Sequence, residues 1–399
     1  MIEITLSILV LAADDESAAQ QGRLQLRSLL DQFENQHQVR VRLNPLPYGR
    51  AWPQVVQYAL DNRGPDVSQL GSTWVGNLAV TNALRPFTDA ELTGLGGPAA
   101  FLPVLWQSGI LSSKVRAIPW LAATRLIYYR RDWLAQAGVD EATAFDTPAH
   151  LEQTLQSLQA SGISLPWVVP TVRTPNTLHS LASWVWAAGG DFINVEEKRL
   201  RLAEPEALQG LNSYFGLHRF LAPAAHRLTD DAAHDLFWGG QAAVTVGGSW
   251  VWENQRRQPT ARPEVIENVS VALPLQVPFV GGEHLAIWKY SRHPEAAIEL
   301  VRFLTSPEAQ RDYLSRLGLL PMRQDLLAEP PFTSDPIQQV MAQALRAGRS
   351  YPVFPRWGVI EERLHDMFGQ IWADILSHPT AEVSDYLKHY IPRLNAIAA

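Results

Sequence analysis

Segments with the periodicity of strands and of helices alternate through the first hundred residues. Residues 4–11 have the alternating apolar pattern of a strand. The next segment has apolar residues at the i, i+3, i+4 and i+7 positions of a helix, namely Leu26, Leu29, Leu30 and Phe33. The alternation continues with a strand at 39–43, a helix at 52–60 and a strand at 66–70. This order of elements predicts an α/β lobe around a largely parallel sheet.

The length of the chain and a change of pattern along it predict a second lobe. The 399 residues exceed what one hydrophobic core usually holds. After Pro119 the segments become longer and more helical, as at 151–158 and 178–188. The later predicted elements are strands at 241–246 and 285–288 and helices that begin at Pro294 and Pro307. The predicted N-terminal lobe comprises residues 1–120 and 281–322, and the C-terminal lobe comprises 121–280 and 323–399.

Charge and composition exclude several classes of function. The net charge of −7 gives no basic surface for a nucleic acid or an anionic membrane, so neither is expected as a partner. The chain contains no cysteine, which excludes disulfides and thiolate chemistry. Phosphate-binding loops, zinc-protease motifs and hydrolase elbows are absent, and the spacing of His226 and His234 matches no common metal site. We therefore expect no metal and no cofactor.

Tryptophan is the residue whose number stands out. The chain has 14, about 3.5% of its residues. An indole offers a broad apolar face with an N–H group at its rim, which suits the CH-lined face of a sugar ring. Burial in the core is the alternative for each one, and we expect more than half of them to be core residues.

A series of short motifs occurs in the same order as in one known family. They are Gly64–Val67 with Trp74, Asn82–Phe87, Ala117–Trp120, Thr124–Asp132, Ala135–Gly138 with Thr147–Pro148, Phe237–Ala243 with Gly247–Trp250, and Gly281–Gly282 with Pro294–Ala297, Ser306–Gln310 and Pro321–Arg323. Together they resemble the family 1 extracellular solute-binding proteins of ABC importers. Residues Tyr351–Trp357 resemble the late aromatic segment of the maltose-binding branch of that family.

The resemblance implies a fold, a function and partners. The implied fold is α/β and two-lobed, of the type II periplasmic-binding-protein class, with a mixed, mostly parallel sheet in each lobe and a hinge beside a central ligand cleft. Such a protein is not an enzyme. It captures a sugar of one to three units by closure of the lobes and delivers it to the permease subunits of an ABC transporter, and it is expected to be a monomer.

Polar candidates for the sugar site follow from strand ends and from the motifs. Asp14, Asp15 and Glu16 follow the first strand, where ligands bind in open α/β sheets, although a helix cap is an equal alternative. Arg125 lies in the segment that crosses between the lobes, and binding competes there with a structural ion pair. Arg323 either orients the ligand or brackets the second hinge. Asp66, in contrast, is expected to cap the turn after Pro65.

Aromatic and glycine candidates complete the expected site. Trp250 follows Gly247-Gly248-Ser249, where small residues let the backbone approach a ligand, and it is the strongest stacking candidate. The other residues assigned to ligand binding are Trp74, Trp120, His179, Ser249, Gly282 and Trp357. His179 and Trp357 correspond in position to aromatic contacts of the maltose-binding branch. For each tryptophan, packing in the core is the alternative.

Three other functions stay open at this point. The same fold could bind a non-sugar solute, or it could serve as a sugar sensor inside the cell. A glycoside hydrolase would also combine tryptophans with carboxylates, but it needs a pair of carboxyl groups that no motif indicates. Location depends on the start of the chain. We expect an extracytoplasmic protein whose export signal has been removed, or a cytoplasmic one if Met1 is the natural start.

Overall fold

Strands and helices alternate along the described chain. The computed structural model describes residues 2–10, 16–257, 261–317, 319–378 and 380–399, without the side chains of 16–22, 224, 256–257 and 315–317. The strands are β1 (Ile2–Val10), β2 (Val39–Pro47), β3 (Val67–Gly71), β4 (Ile110–Leu111), β5 (Lys114–Val115), β6 (Ile118–Arg130), β7 (Trp167–Val168), β8 (Ile193–Asn194), β9 (Arg199–Leu200), β10 (Val244–Gly248), β11 (Val269–Ala272) and β12 (Val280–Ile287).

The helices are more numerous than the strands and fall in the segments between them. They are α1 (Glu16–His37), α2 (Tyr48–Asp61), α3 (Val75–Val80), α4 (Asp89–Gly94), α5 (Pro103–Ser108), α6 (Arg131–Gln136), α7 (Pro148–Ala160), α8 (Pro175–Ala187), α9 (Pro205–Phe215), α10 (Asp230–Trp238), α11 (Ser249–Arg257), α12 (Pro263–Asn268), α13 (Pro294–Leu304), α14 (Pro307–Leu317), α15 (Pro336–Ala347), α16 (Trp357–Ser377) and α17 (Val383–Ala398).

Several of these helices begin with a hydroxyl or carboxylate cap followed by proline. Thr147 Oγ1 accepts a hydrogen bond from the backbone N–H of His150 at 3.1 Å, with Pro148 as the first helical residue. The same arrangement starts α8 at Thr174 and α15 at Asp335. Proline suits this position because the first helical N–H has no partner within the helix. Local sequence therefore fixes where these helices start.

The described chain forms two compact units, each made of three stretches. Unit 1 comprises Met1–Ala123, Gly281–Thr333 and Val353–Trp357, and unit 2 comprises Thr124–Val280, Ser334–Pro352 and Gly358–Ala399. Residues 323–333 and 353–357 thus belong to the first unit, although the sequence assigned them to the C-terminal lobe. Hydrogen bonds from the Gln324 amide to the backbone oxygens of Ala99 and Phe101 hold the first of these stretches in unit 1.

Unit 1 is built on a mixed sheet in the order β2-β1-β3-β12, with the first part of β6 beside β12. β1 pairs in parallel with β2 and with β3, while β12 runs antiparallel to β3. Asp66 fastens the start of β3, because its carboxylate accepts the Thr5 N–H at 2.8 Å and the Ser291 hydroxyl at 2.6 Å. The role of Asp66 is therefore structural, as predicted, although these bonds join it to Thr5 and Ser291 and not to the turn after Pro65.

Unit 2 contains the second part of β6, which pairs antiparallel with both β10 and β11. β10 pairs in parallel with β7. Aromatic rings fill the adjoining core, where Trp184 contacts Trp167 and Tyr214 edge to face, and Tyr214 contacts Trp372 in the same way. Edge-to-face contacts of this kind add to the free energy of burial.

Ten of the fourteen tryptophans are buried. The four that are only half-buried are Trp52, Trp74, Trp133 and Trp250. The expectation that more than half belong to the core is therefore confirmed.

Candidate ligand-binding site

The acidic candidates that follow β1 cannot be placed. Asp14 and Asp15 lie outside the described residues, and Glu16 begins α1 but its side chain is not described. Their assignment to the ligand remains a prediction.

Trp74 belongs to a partly open group of aromatic rings in unit 1. It ends a single 3₁₀ turn, Ser72–Trp74, directly after β3. Its ring centroid lies 5.5 Å from that of Trp52 and 6.0 Å from that of Tyr48, both on the first turns of α2. Tyr48 is 40% exposed, while Trp52 and Trp74 are half-buried. We call Tyr48, Trp52 and Trp74 the unit 1 aromatic group, and it offers apolar ring surface to a ligand.

A polar pair that the sequence analysis missed also lies in unit 1. Gln69 on β3 accepts the Leu9 N–H through its side-chain oxygen at 2.9 Å and donates through its amide nitrogen to Glu283 on β12. Burial raises the pKa of the Glu283 carboxyl to about 7, although the hydrogen bond from Gln69 acts to lower it. Each residue has a polar neighbour in its strand, Ser68 beside Gln69 and His284 beside Glu283, so the sequence alone did not distinguish either one.

Trp120 is a core residue, not a ligand-stacking one. It is 1% exposed, and its ring stacks face to face on Tyr313 with centroids 5.6 Å apart and an interplanar angle of 4°. Its backbone oxygen accepts a hydrogen bond from the Gln310 amide at 2.9 Å. Because Tyr313 already covers the indole, the core alternative holds for Trp120.

Arg125 and Trp250 contact each other in unit 2. The guanidinium carbon of Arg125 lies 4.7 Å from the centroid of the Trp250 ring, and the guanidinium donates to the Asn176 side-chain oxygen. Arg125 is 5% exposed, whereas Trp250 is half-buried. Trp250 also packs on Gly248, where an added Cβ would overlap the ring. The cation and the glycine backbone therefore fix the indole while part of it stays accessible.

Ser249, the residue before Trp250, contacts the backbone of another segment of unit 2. It begins α11 immediately after β10 and is 2% exposed. Its hydroxyl oxygen lies 3.5 Å from the N–H of Thr124, whose own hydroxyl donates to the Phe279 carbonyl at 2.8 Å. These contacts support a structural role for Ser249, and the ligand contact expected from the sequence stays a prediction.

His179 on α8 is held in an aromatic and polar environment of unit 2. Its ring stacks on Phe279 at 4.4 Å, and Nδ1 lies 3.3 Å from the Tyr351 hydroxyl. Nε2 lies 3.9 Å from a carboxylate oxygen of Glu361. Burial, the charge of Arg125 and that of His365 hold the pKa of His179 well below its usual value. His179 is therefore neutral at pH 7 and able both to donate and to accept a hydrogen bond.

Arg323 makes structural contacts within unit 1. Its guanidinium pairs with Asp325 at 2.9 Å and lies 5.7 Å from the ring centroid of Phe101. Burial would raise the pKa of the Asp325 carboxyl, but the hydrogen bond and charge of Arg323 lower it. These contacts are structural and lie within unit 1, so both roles predicted for Arg323, ligand orientation and support of the second hinge, stay predictions.

Gly282 and Trp357 are also explained by packing. Gly282 has a φ of 153°, and an added Cβ would overlap the carbonyl oxygen of Leu121, so glycine is needed for β12 to lie beside β6. Trp357 begins α16 and is 1% exposed, which places it in the core. These contacts support a structural role for both residues, and their part in ligand binding stays a prediction.

Two groups of candidate residues remain. In unit 1 the aromatic group and the Gln69–Glu283 pair combine ring faces with a carboxyl. In unit 2 Arg125, Trp250 and His179 are joined by residues that the sequence analysis did not assign: Asn176, Glu361 and Tyr351. Tyr351 lies in the aromatic segment 351–357 that the sequence had already indicated, so its place in this group could have been predicted. Nothing in the sequence indicated Asn176 or Glu361, because each is an ordinary polar residue on a helix.

Two searches of the residues that the structure describes concern metal ligands and membrane-spanning helices. No three metal-ligating side chains come together among these residues. None of the helices described is both long enough and apolar enough to cross a bilayer.

Comparison with known proteins gives a matching family and related sequences. The model of a family described as bacterial extracellular solute-binding proteins matches residues 19–311. A probable ABC transporter-binding protein of Deinococcus radiodurans is 26% identical over 250 residues, which are 58% of this chain and 59% of that protein. The maltotriose-binding protein of Pyrococcus abyssi is 20% identical over 335 residues, 82% of this chain and 69% of that one.

A solved structure establishes the fold. The solute-binding protein of an ABC transporter from Thermotoga lettingae, bound with α-D-tagatose, superposes with a TM-score of 0.82. It is 20% identical, and the match covers 100% of both chains. The predicted α/β fold of the periplasmic-binding-protein class is thereby confirmed.

Proposed function

Because the chain belongs to the bacterial extracellular solute-binding protein family, we propose that it is the sugar-capturing component of an ABC importer. The proposed ligand is a neutral sugar of one to three units, which the protein delivers to the permease. The observation that carries the proposal is the pairing, in each unit, of half-buried aromatic rings with hydrogen-bonding side chains. These are the unit 1 aromatic group with Glu283, and Trp250 with Arg125 and His179.

Such pairs match the chemistry of a sugar. The CH-lined face of a pyranose packs on an indole, and its hydroxyls accept from guanidinium or imidazole groups and donate to carboxylates. A micromolar dissociation constant corresponds to about 8 kcal/mol, which a few stacked rings and charge-assisted hydrogen bonds can provide. The related proteins support this choice, since one is named for maltotriose and another was solved with tagatose.

The remaining parts of the proposal follow from the family. Its members are described as extracellular, so we place this protein outside the cytoplasm. Both relatives and the solved structure are named as binding proteins, which supports binding without catalysis. Capture by closure of the lobes, with differential contacts that stabilise the closed form, remains a prediction, as does the monomeric state.

A ligand screen followed by calorimetry tests the proposal. Thermal unfolding in the presence of neutral mono-, di- and trisaccharides should identify a sugar that raises the melting temperature by mass action. Isothermal titration calorimetry should then give a micromolar dissociation constant for that sugar. Polyamines and sugar phosphates serve as controls for other solutes. Stabilisation by one of these controls, with no response to any sugar, would overturn the sugar assignment.

A further inference from the structure

The Gln69–Glu283 pair joins three neighbouring strands of unit 1. The Leu9 N–H on β1 donates to the side-chain oxygen of Gln69, and this bond fixes the orientation of the amide. The amide nitrogen of Gln69 then faces Glu283 on β12 and donates to its Oε2. One oxygen of the carboxyl is thus held in place. Within the described residues, the other oxygen, Oε1, receives no hydrogen bond.

The register of β12 brings this carboxyl close to Trp74. Glu283 pairs directly with Gly71, and directly paired residues point to the same face of a sheet. A Cβ added at Gly71 would lie 3.4 Å from two ring atoms of Trp74. The indole therefore lies above Gly71 on the face that carries Glu283. Because residue 71 is glycine, it places no side chain of its own between the indole and the carboxyl.

The exposure of the two groups suits a ligand. Gln69 is 5% exposed, whereas Glu283 and Trp74 are half-buried and keep part of their surface accessible. A sugar ring that lies on an indole directs its hydroxyls outward from the ring edge. A carboxylate beside the indole can accept such a hydroxyl in a charge-assisted hydrogen bond. The same negative charge repels the phosphate or carboxylate of an acidic sugar.

We propose that Glu283 is a ligand-binding residue of unit 1 that accepts a hydrogen bond from a neutral sugar whose ring lies on Trp74. Gln69 is the positioning residue that fixes the carboxyl. This inference rests on the proposed function and adds to it a binding residue and a preference for neutral over acidic sugars.

The titration of Glu283 gives the inference a measurable signature. Burial raises the pKa of its carboxyl to about 7, against the hydrogen bond from Gln69. Among the described residues, the Tyr313 phenol is the titratable group that feels its charge, and burial together with that charge keeps Tyr313 protonated. The adjacent His284 points to the opposite face, where Nε2 lies 3.0 Å from the Leu105 oxygen, and its lowered pKa of about 4 leaves it neutral.

The ionised carboxylate accepts the hydroxyl in a charge-assisted hydrogen bond, which is stronger than the bond to the protonated carboxyl, so affinity falls as the carboxyl takes up its proton. We expect the dissociation constant to be higher at pH 6 than at pH 8, by up to roughly tenfold. With a pKa of about 7 for Glu283, part of the free protein carries the proton at pH 7, so binding should release a fraction of a proton. Calorimetry in two buffers of different ionisation enthalpy measures this release on the wild-type protein.

The test compares Glu283→Gln with the wild type, using the sugar that the screen identifies. At pH 8 the variant should bind at least about tenfold more weakly, with no pH dependence from this group and no proton release. Glu295→Gln, an exposed glutamate in the first turn of α13, is the matched control and should bind like the wild type. A sugar phosphate should gain affinity in Glu283→Gln relative to the wild type.

The outcomes separate the inference from the function on which it rests. Wild-type binding with no proton release at any pH from 5 to 8 would overturn the inference without any need for a folded variant. A folded Glu283→Gln protein that keeps wild-type affinity and pH dependence would overturn it as well. Failure of the wild type to bind any sugar would overturn the proposed function itself.

Discussion

At the scale of single residues, the accessibility of the ring decides what a tryptophan can do. Trp74 and Trp250 are half-buried, and each is held by a defined neighbour, Gly71 for the first and Arg125 for the second. Trp120 and Trp357 are 1% exposed. An indole surrounded by protein contributes to the free energy of unfolding, and one with a free face can also bind a ligand.

This distinction predicts opposite phenotypes for two alanine variants. Trp250→Ala should weaken sugar binding by about 1 kcal/mol or more, roughly fivefold, with a small effect on stability. Trp120→Ala should lower the free energy of unfolding by about 3–5 kcal/mol and leave sugar affinity unchanged in the folded fraction. Calorimetric titration and urea unfolding measure the two effects, and Trp250→Phe is the control that keeps an aromatic ring. Equal losses of affinity in both alanine variants would contradict the assignment.

His284 gives a second prediction, for the pH dependence of stability. Burial lowers its pKa from 6.5 to about 4, so the folded protein takes up its proton at lower pH than the unfolded chain does. Its contribution to stability is complete above pH 6.5 and is lost as the pH falls towards 4. The shift corresponds to roughly 3 kcal/mol. Urea unfolding of wild type and His284→Gln at pH 7, 6 and 5 measures it, and the stability difference between them should shrink or reverse as the pH falls.

The sequence predicted some of the candidate site residues. The others could not be predicted, because their environment depends on tertiary contacts between distant parts of the chain. Trp74 and Trp250 could be named because they follow a strand or a glycine pair. The sequence could not exclude Trp120 from the ligand site, because the Tyr313 ring that covers it comes from almost two hundred residues further along the chain. Glu283 was not predicted, for a related reason. Its significance depends on the register of β12 against β3, which a single sequence does not reveal.

At the scale of elements, β12 depends on a glycine at one position. Gly282 has a φ of 153°, where side chains other than that of glycine are strained, and it lies against the Leu121 carbonyl. The next residue is Glu283, so the conformation at 282 also sets the direction of the carboxyl beside Trp74. A change there should affect both stability and binding.

Two glycine-to-alanine variants separate strain from steric overlap. Gly282→Ala should lower the free energy of unfolding by about 3 kcal/mol, because backbone strain and overlap with the Leu121 oxygen act together. Gly138→Ala is the control, since Gly138 has a φ of 68° and open space around it, and its cost should be about 1 kcal/mol. Guanidinium unfolding measures both. A cost for Gly282→Ala no larger than that of the control would show that the close approach to Leu121 is unimportant.

Helix starts were the elements that the sequence predicted best. The helix expected from Pro307 begins there, and Ser306 Oγ accepts the Ala309 N–H at 3.2 Å. Caps are local, so a few residues are enough to recognise them. Assignment of segments to units went less well, because the membership of residues 323–333 depends on hydrogen bonds to a stretch more than two hundred residues earlier.

At the scale of the whole molecule, neither unit is a continuous piece of chain. Each consists of three stretches that alternate along the sequence. A unit of this kind cannot complete its core without segments that lie beyond the other unit in the sequence. Interleaved connectivity of this kind favours cooperative unfolding of the chain.

We therefore expect one unfolding transition that shifts as a whole when sugar binds. Tryptophan fluorescence and far-UV circular dichroism should give coincident urea curves. A sugar at one hundred times its dissociation constant should stabilise the protein by about 2.7 kcal/mol, without splitting the transition. Differential scanning calorimetry checks the same point. Two transitions, of which only one responds to sugar, would contradict this expectation.

The position of β12 also has a consequence for biosynthesis. In unit 1 this strand lies between β3 and the first part of β6, yet it is made long after both. At about 5–20 residues per second, the ribosome needs roughly 10–40 s to proceed from the end of β3 to the end of β12. For that whole interval the inner edge of β3 lacks its partner, and for most of it the same is true of the first part of β6. The speed of translation and the presence of chaperones should therefore affect the yield of this protein more than that of a chain whose neighbouring strands are made in succession.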